Sequence, residues 1–313
     1  MATTVVADDT GRAKPRLGDT IFSRLALAAG IIILVALAGV FIFLTIEGAP
    51  GLVKPASFYG SASTFAGYVA PLLFGTVLAA IIALVVAVPL SWGIALVVSH
   101  YAPKRVATPI AYVIDLLAAV PSVVFGLWGI TVLAPKLSPV YQWLEEHAGW
   151  VPFFAGPAST TGRTILTAGL VLAIMIIPII TAISREVFSQ TPRLHEEAAL
   201  ALGATRWEML RLAVFPYARS GMVSAVMLGL GRALGETMAV AMVLSAGGGI
   251  SFNLISNTNP ASIASNIASN YREGTPGKIQ VLIATGLVLF LVTFLVNFAA
   301  RWVVTRNERK LAR

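Results

Sequence analysis

The sequence contains no cysteine, which excludes disulfide bonds and every metal or redox site that is built on thiolates. Charged residues are also scarce: they make up 12% of the 313 residues, against roughly a quarter in soluble globular proteins. The Gly-x-x-x-x-Gly-Lys-Ser/Thr pattern of a nucleotide-binding P-loop is missing too, because Gly277-Lys278-Ile279 does not match it. We therefore expect the chain to bind no cofactor of its own.

Apolar residues take the place of the missing charges. They make up 57% of the sequence, and the mean hydropathy of +0.85 is that of a membrane protein. A helix needs about 20 apolar residues to cross a bilayer, and nothing in the sequence alternates like barrel strands. We therefore predict an all-α membrane protein with six transmembrane helices. The six apolar runs are Leu25 to Ile46, Tyr68 to Val98, Val106 to Ala134, Ile165 to Ile183, Ser220 to Ala246 and Ile279 to Val304.

The first two runs need individual interpretation. The first is longer than the 7 to 15 apolar residues of a signal peptide, so we expect a retained anchor. The second contains Pro71 and Pro89 near its ends and predicts one tilted or kinked helix. The predicted domain division is a tail at 1–24, a first helix at 25–46, a core of five helices at 68–304 and a basic tail at 305–313.

The basic residues indicate how the chain crosses the membrane. Of the 22 Lys and Arg, 16 lie at or beyond the span ends on one side, where Arg301 occupies the last turn of the sixth run, five lie in the loops of the other side, and Arg232 lies deep within a span. The positive-inside rule then places both termini in the cytoplasm of a bacterial cell, with the protein crossing its plasma membrane several times. The net charge of +8 is explained by this topology, so we expect no nucleic-acid partner.

The longest polar connection on the predicted cytoplasmic side is the loop 184–219. Thr191-Pro192 predicts a helix start, Gly203 a break, and Trp207 a second amphipathic helix. Two short helices joined at a glycine suit the groove of a partner protein. They would equally suit an amphipathic segment that rests on lipid, and composition alone does not separate the two.

A resemblance to a known family favours docking of this loop into a partner protein over contact with lipid. Glu197-Ala198-Ala199, followed by Gly203 and Pro216 at the same spacing, resembles the EAA motif of importer-type ATP-binding-cassette (ABC) permeases. Ala213 and Phe215 stand where that family has Ile and Leu. The resemblance implies that these five matching residues form a coupling loop, which docks into a separate ATPase subunit.

Three further segments narrow the resemblance. Gly75 to Leu96, Asp115 to Gly129 and Gly229 to Val240 are similar to the PstC-type permease subunits of phosphate-specific transporters. That resemblance implies a type I ABC importer permease fold and import of inorganic phosphate. It also implies partners: a homologous second permease (PstA-like), two ATPase subunits that hold ATP and magnesium, and an extracytoplasmic phosphate-binding protein.

Two other functions stay open at this point. Molybdate and sulfate permeases also have an Arg and a Gly-Glu four residues apart, so the oxyanion could be either of these. An ion-coupled secondary carrier without an ATPase is a further alternative. Such carriers usually have coupling carboxylates within their spans, and this chain offers only Glu236 and the shallow Asp115.

The stretch GRALGETMAV, residues 231–240, contains the predicted translocation site. On a continuous helix Arg232 and Glu236 would share one face and pair, about 18 and 24 Å from Ser220. The guanidinium could bind an oxyanion in bidentate fashion while Glu236 holds it ready. The alternative is a permanent buried ion pair with only a structural role.

Asp115, three glycines and the histidines are further candidates for a role near this site. Asp115 could belong to the same polar path or could be a solvated carboxylate at the membrane interface. Gly229, Gly231 and Gly235 are compatible with close helix approach. The three histidines show no metal-ligand spacing, and we expect all of them to be solvated: His100, His147 and His195.

Overall fold

The computed structural model describes residues 17–245 and 247–311. These residues form α-helices joined by short 3-10 and π-helical turns, and no strand occurs in the two described ranges. The helices are α1 Leu17–Gly48, α2 Phe65–Leu96, α3 Lys104–Ala118, α4 Ser122–Trp128, α5 Ala134–Ala148, α6 Ile165–Ser189, α7 Arg193–Ala201, α8 Arg206–Met209, α9 Phe215–Gly235, α10 Met238–Val243, α11 Ile263–Asn270 and α12 Pro276–Leu311.

Six helical runs in the described residues are long and apolar enough to cross a membrane, which confirms the predicted number. Helix α2 continues through Pro71 and Pro89 without a break, as predicted. The six runs are Gly18–Val53, Phe65–Tyr101, Ser122–Ala148, Ile165–Ser189, Arg206–Gly235 and Pro276–Trp302.

The third predicted span, Val106 to Ala134, is wrong because α3 ends at Ala118 and the chain becomes helical again only at Ser122, after the extended Pro121. Proline has no backbone N–H, and its ring disfavours helical geometry at the residue before it. Helix α3 is therefore separate, with Ile114 buried and an apolar opposite face that includes exposed Tyr112 and Leu116. The transmembrane run begins at Ser122 and continues to Ala148, well into the predicted outer loop.

The fifth predicted span, Ser220 to Ala246, is wrong at both ends. The polypeptide is already helical from Arg206, so the second predicted short helix is the first part of this span. Helix α9 then ends at Gly235, because Glu236 has extended backbone angles, φ −67° and ψ 128°. Helix α10 resumes for only six residues, Met238–Val243. The span is therefore interrupted within the predicted translocation site.

The centre of the bundle consists of α2, α6 and α9. Helix α2 packs Ala79, Ala83 and Ala87 against α6, and each of these alanines is at most 3% exposed. Helix α9 approaches α6 at Gly229, where a Cβ atom would lie 2.7 Å from Ile180 Cδ1. Small residues allow the helices to approach closely. Close van der Waals packing stabilises helix pairs in lipid, where the hydrophobic effect does not drive helices together.

The segment Pro121 to Gly129 positions α10. A Cβ atom on Gly126 would lie 2.8 Å from the Cα of Ala239, so α4 and α10 touch backbone to backbone. At Gly129 a Cβ atom would lie 2.8 Å from Val243 Cγ2. Two of the segments that carry the phosphate-permease resemblance therefore pack against each other at the interrupted span.

Candidate functional site

Arg232 lines a groove between α6, α9 and α12. The groove has a volume of about 890 Å³. Its floor follows one face of α9 from Val223 to Arg232, a rise of about 14 Å. The lining residues are Ile179 of α6, Val223, Ser224, Met227, Leu228, Gly231 and Arg232 of α9, and Asn297 and Arg301 of α12.

The polar groups of this groove favour an anion. Two guanidinium groups, those of Arg232 and Arg301, line it together with the amide of Asn297, and no carboxylate does. Within the described part of the chain, half-buried Arg232 forms no hydrogen bond or ion pair. Apolar walls strengthen the field of such a charge, and a planar guanidinium can bind an oxyanion in bidentate fashion.

Glu236 does not pair with Arg232, contrary to the sequence-based expectation. Residues four apart share a face only where a helix continues, and α9 ends at Gly235. The carboxylate instead accepts a hydrogen bond from the backbone N–H of Ala239, at 3.1 Å, and Glu236 is only 8% exposed. Glu236 thus caps the first turn of α10, where a negative charge is favourable.

Arg163 binds the other end of the same short helix. Its guanidinium donates a hydrogen bond of 3.3 Å to the carbonyl oxygen of Met242, in the last turn of α10. A positive charge is favourable at that end. The sequence gives no local signal of this contact, because the two residues are 79 positions apart. Helix α10 is therefore held by a charged side chain at each end.

Asp115 does not line the groove of Arg232. Its Oδ2 lies 3.6 Å from Nη2 of Arg185, near the end of α6. The Asp115 side chain is 50% exposed, whereas that of Arg185 is 24% exposed. The structure therefore places Asp115 in a bridge between α3 and α6, outside the groove.

The residues of the EAA-like motif lie at one end of the bundle. Helix α7 buries none of its residues, Glu197 and Ala198 are exposed, and Ala199 is half-buried. Gly203 follows with φ +86°, a left-handed conformation that favours glycine. Pro216 is exposed in the first turn of α9. Two leucines beside the motif are also strongly exposed, Leu194 at 73% and Leu202 at 90%. Helix α7 thus presents apolar and acidic side chains outward.

His100 connects α7 to the end of the second span. Its Nε2 lies 3.6 Å from Glu196 Oε1, and its Nδ1 lies 2.7 Å from the hydroxyl of Ser99. The side chain is 10% exposed, so the expectation that His100 is solvated was wrong. His147 and His195 are exposed as expected. No cluster of three potential metal ligands occurs among the described residues.

The glycines near the site have different roles. Gly229 permits close packing on Ile180, as expected. Added Cβ atoms at Gly231 and Gly235 would meet nothing within 4 Å, so neither glycine is required for helix contact in this chain.

Comparison with known proteins identifies a family and several relatives. Residues 87–311 match the family described as binding-protein-dependent transport system inner membrane component. The phosphate transport system permease protein PstC 2 of Mycobacterium tuberculosis is 48% identical over 306 residues, covering 91% of each chain. The phosphate transport system permease protein PstC of Xylella fastidiosa (strain Temecula1) is 43% identical over 243 residues, covering 76% of this chain and 74% of the relative.

Solved structures show the same fold at low sequence identity. A chain of a bacterial alginate ABC transporter, crystallised in complex with a pentasaccharide-bound periplasmic protein, has a TM-score of 0.62 at 16% identity. The similarity covers 92% of this chain and 95% of that one. The helical arrangement is therefore that of an ABC importer permease.

Proposed function

The chain belongs to the family of binding-protein-dependent transport system inner membrane components, and from that premise we propose that it is the permease subunit of an ATP-driven importer of inorganic phosphate. Relatives named as phosphate transport permeases are 43 to 48% identical over most of the chain. They support phosphate over molybdate or sulfate. The protein itself is a membrane transport subunit and not an enzyme.

The groove of Arg232 is the observation that carries this proposal. It combines two guanidinium groups and an amide in an otherwise apolar span, with no carboxylate in its lining. An ionisable group at membrane depth is expensive unless it faces a wet cavity or a partner, and Arg232 has no partner among the described residues. A transported oxyanion would be that partner. In this proposal Arg232 contacts phosphate, and Glu236 supports the site by capping α10.

The exposed surface of α7 supports coupling to an ATPase. In the proposed assembly Glu197, Ala198, Ala199 and Gly203 dock into the ATPase subunit, which holds ATP and magnesium. Pro216, in the first turn of α9, lies within the span that responds. The His100–Glu196 contact would carry the movement of α7 to α2. A second, homologous permease would complete the pore, and an extracytoplasmic phosphate-binding protein would deliver phosphate at the opposite end.

Competitive uptake by the assembled complex tests the substrate. Radiolabelled phosphate uptake is measured with an excess of unlabelled phosphate, molybdate or sulfate. We expect unlabelled phosphate alone to suppress uptake strongly. Suppression by molybdate or sulfate at equal or lower concentration would identify one of these as the substrate.

Co-purification tests the alternative of a secondary carrier. An importer permease should retain an ATPase subunit through α7 in mild detergent, and Glu197→Lys should release it. Phosphate uptake by this chain alone, without ATP and without an ATPase, would favour the carrier.

A further inference from the structure

A second polar cavity lies at the end of the bundle opposite α7. The π-helical turn Val97–Tyr101, which continues α2, contacts α7 through His100. The first turn of α2 lies about 48 Å away along the 32 residues of that helix. At that far end α2 meets α11, the first turn of α12 and the 3-10 turn Ala56–Phe58 around a cavity of about 350 Å³. We call it the outer pocket. Its polar lining consists of Ser57, Tyr68, Asn266, Asn270, Thr275 and Lys278.

The helix that supplies both asparagines is firmly held. Ser262 and Ser265 form a capping box at the start of α11. The backbone N–H of Ile263, which is fully buried, donates a hydrogen bond of 2.9 Å to the hydroxyl of Thr76 on α2. The far end of α11 is closed by Asn270, whose Nδ2 donates to Asn266 O at 2.9 Å. The pocket is therefore preformed.

The hydrogen-bonding groups of the outer pocket are mainly donors. Asn266 Nδ2 donates to the Tyr68 hydroxyl oxygen at 2.8 Å, which leaves the phenolic proton for another acceptor. Ser57 and Thr275 add two hydroxyl groups, and Lys278 adds an ammonium with three donors. The pocket thus offers several donors and needs an acceptor-rich ligand.

The charge of the outer pocket has the same sign throughout. No carboxylate lines it, and Lys278 makes no ion pair with any residue in the described ranges. The ammonium of Lys54 lies 6.0 Å from the ring centre of Phe58, which also lines the pocket, so a second cation stands beside it. A half-buried lysine among hydroxyl and amide donors, without an acid, is the composition of an anion site.

We propose that the outer pocket binds a phosphate group on the extracytoplasmic side of the membrane. The Nδ2 group of Asn270 already donates to Asn266 O and Asn266 Oδ1, so the phosphate oxygens would accept from the ammonium of Lys278, the hydroxyl groups and the remaining N–H of Asn266. Asn266 and Asn270 also line a smaller cavity, of about 110 Å³, that reaches Val240 and Ala241 of α10. The bound group would therefore lie one helix away from the interrupted span. The same chemistry would suit free phosphate or the headgroup of a phospholipid.

This site is separate from the groove of Arg232, because the two cavities share no lining residue. The choice of phosphate rests on the proposed function. Binding is therefore measured locally and without ATP, while phosphate uptake by the wild-type complex is measured in parallel. If only the proposal for the outer pocket is wrong, the wild-type complex still takes up phosphate. If the proposed function is wrong, the wild-type complex takes up no phosphate.

Because the chain has no cysteine, one introduced thiol can report on the outer pocket. Ser57→Cys places it in the lining, and Ser61→Cys places a matched exposed thiol outside the lining. Assembled complexes in nanodiscs of digalactosyldiacylglycerol, a lipid without a phosphate group, are treated with anionic and cationic methanethiosulfonates, with inorganic phosphate or with chloride at equal ionic strength. The same reactions are run without phosphate in discs that contain phosphatidylglycerol.

We expect the anionic reagent to react several-fold faster than the cationic one at Ser57→Cys. Phosphate should slow this reaction about twofold at half-saturation, and it should leave Ser61→Cys unaffected. Adding Lys278→Gln should remove the protection, whereas Lys136→Gln, at an exposed lysine of α5, should not.

Two results support the site and one overturns it. Protection by free phosphate identifies the ion as the ligand. Protection only in phosphatidylglycerol discs, lost with Lys278→Gln, identifies a lipid headgroup. If neither source protects Ser57→Cys, the outer pocket does not bind a phosphate group.

Discussion

Arg232 carries a permanent charge far inside a span, and its surroundings decide what that charge can do. It lies roughly 26 Å along the helix axis from Phe215. Its expected partner, Glu236, instead binds the backbone of α10. A buried cation without a counter-charge is destabilising unless water or a ligand reaches it, and the groove provides that access.

The first prediction separates charge from geometry at Arg232. Arg232→Lys keeps the charge but loses the planar fork of donors, so phosphate uptake per assembled complex should fall about tenfold or more. Arg272→Lys, at an exposed outer arginine, is the matched control and should be near normal. Near-normal uptake by Arg232→Lys, or by Arg232→Met combined with Glu236→Leu, would show that no bidentate ligand contact is made.

The second prediction concerns Glu236 as a helix cap. Glu236→Gln keeps a side-chain oxygen for the N–H of Ala239, so uptake and the thermal midpoint of the complex should change little. Glu236→Leu removes the acceptor and should destabilise the complex by about 1 kcal/mol. If the two variants lose uptake equally while the glutamine variant remains thermally stable, the negative charge itself is required, and the capping role alone is insufficient.

At the scale of helices, the connection after α7 favours glycine at position 203 because of the backbone conformation there, and not because a larger side chain would clash. Gly203 has φ +86°, yet a Cβ atom there would meet nothing within 4 Å. A larger side chain at this position is therefore disfavoured by backbone strain, which is about 1 to 2 kcal/mol for most residues and smaller for asparagine. The turn fixes the direction in which α7 presents Glu197.

The third prediction compares two replacements of Gly203 that differ in how well they tolerate the left-handed conformation. Gly203→Val should reduce both ATPase co-purification and uptake, while Gly203→Asn should keep most of both, because asparagine tolerates the left-handed conformation.

Glu197→Lys should abolish uptake with normal membrane insertion, since it reverses a charge at the proposed contact. Full uptake by a well-expressed Glu197→Lys, Gly203→Val double variant would remove the coupling role from α7.

Long apolar helices could be predicted from the sequence, whereas interruptions within apolar runs could not. Hydropathy identified six spans because burial in lipid imposes a minimum apolar length. It gave no sign that α9 ends at Gly235, since Thr237 and Met238 continue the run. The break is stabilised by contacts distant in sequence, through Gly126 to Ala239 and Arg163 to Met242. Pro121 lies at a break, but Pro71 and Pro89 lie inside the continuous helix α2, so a proline in an apolar run does not by itself predict one.

The same limit applies to the site. Arg232 was identified because a charge in an apolar run is visible in the sequence, and the structure places it in a groove. Its pairing with Glu236 was wrong because the prediction assumed a continuous helix. Arg301 and Asn297 were missed because they join Arg232 only when α12 packs beside α9.

At the scale of the whole molecule, much of the apolar surface remains uncovered. The described side chains of α1 are exposed almost throughout, and α1 touches the rest of the chain mainly through α12 and the turn Ala49–Val53. The groove of Arg232 is similarly incomplete, since its lining residue Leu228 is 55% exposed. In the proposed assembly, lipid and the second permease would cover this surface.

The last prediction concerns orientation, on which import and coupling both depend. The excess of Lys and Arg on the α7 side predicts that this side faces the cytoplasm. Single thiols from Trp150→Cys and Asn257→Cys, both at exposed residues, should then react with an impermeant reagent added to intact cells. Thiols from Lys104→Cys and His195→Cys should react only after permeabilisation; Lys104 is included because a bound ATPase could shield α7. Labelling of Lys104→Cys but not Trp150→Cys in intact cells would place α7 outside, where no cytoplasmic ATPase reaches it, and would overturn the coupling role and the direction of transport together.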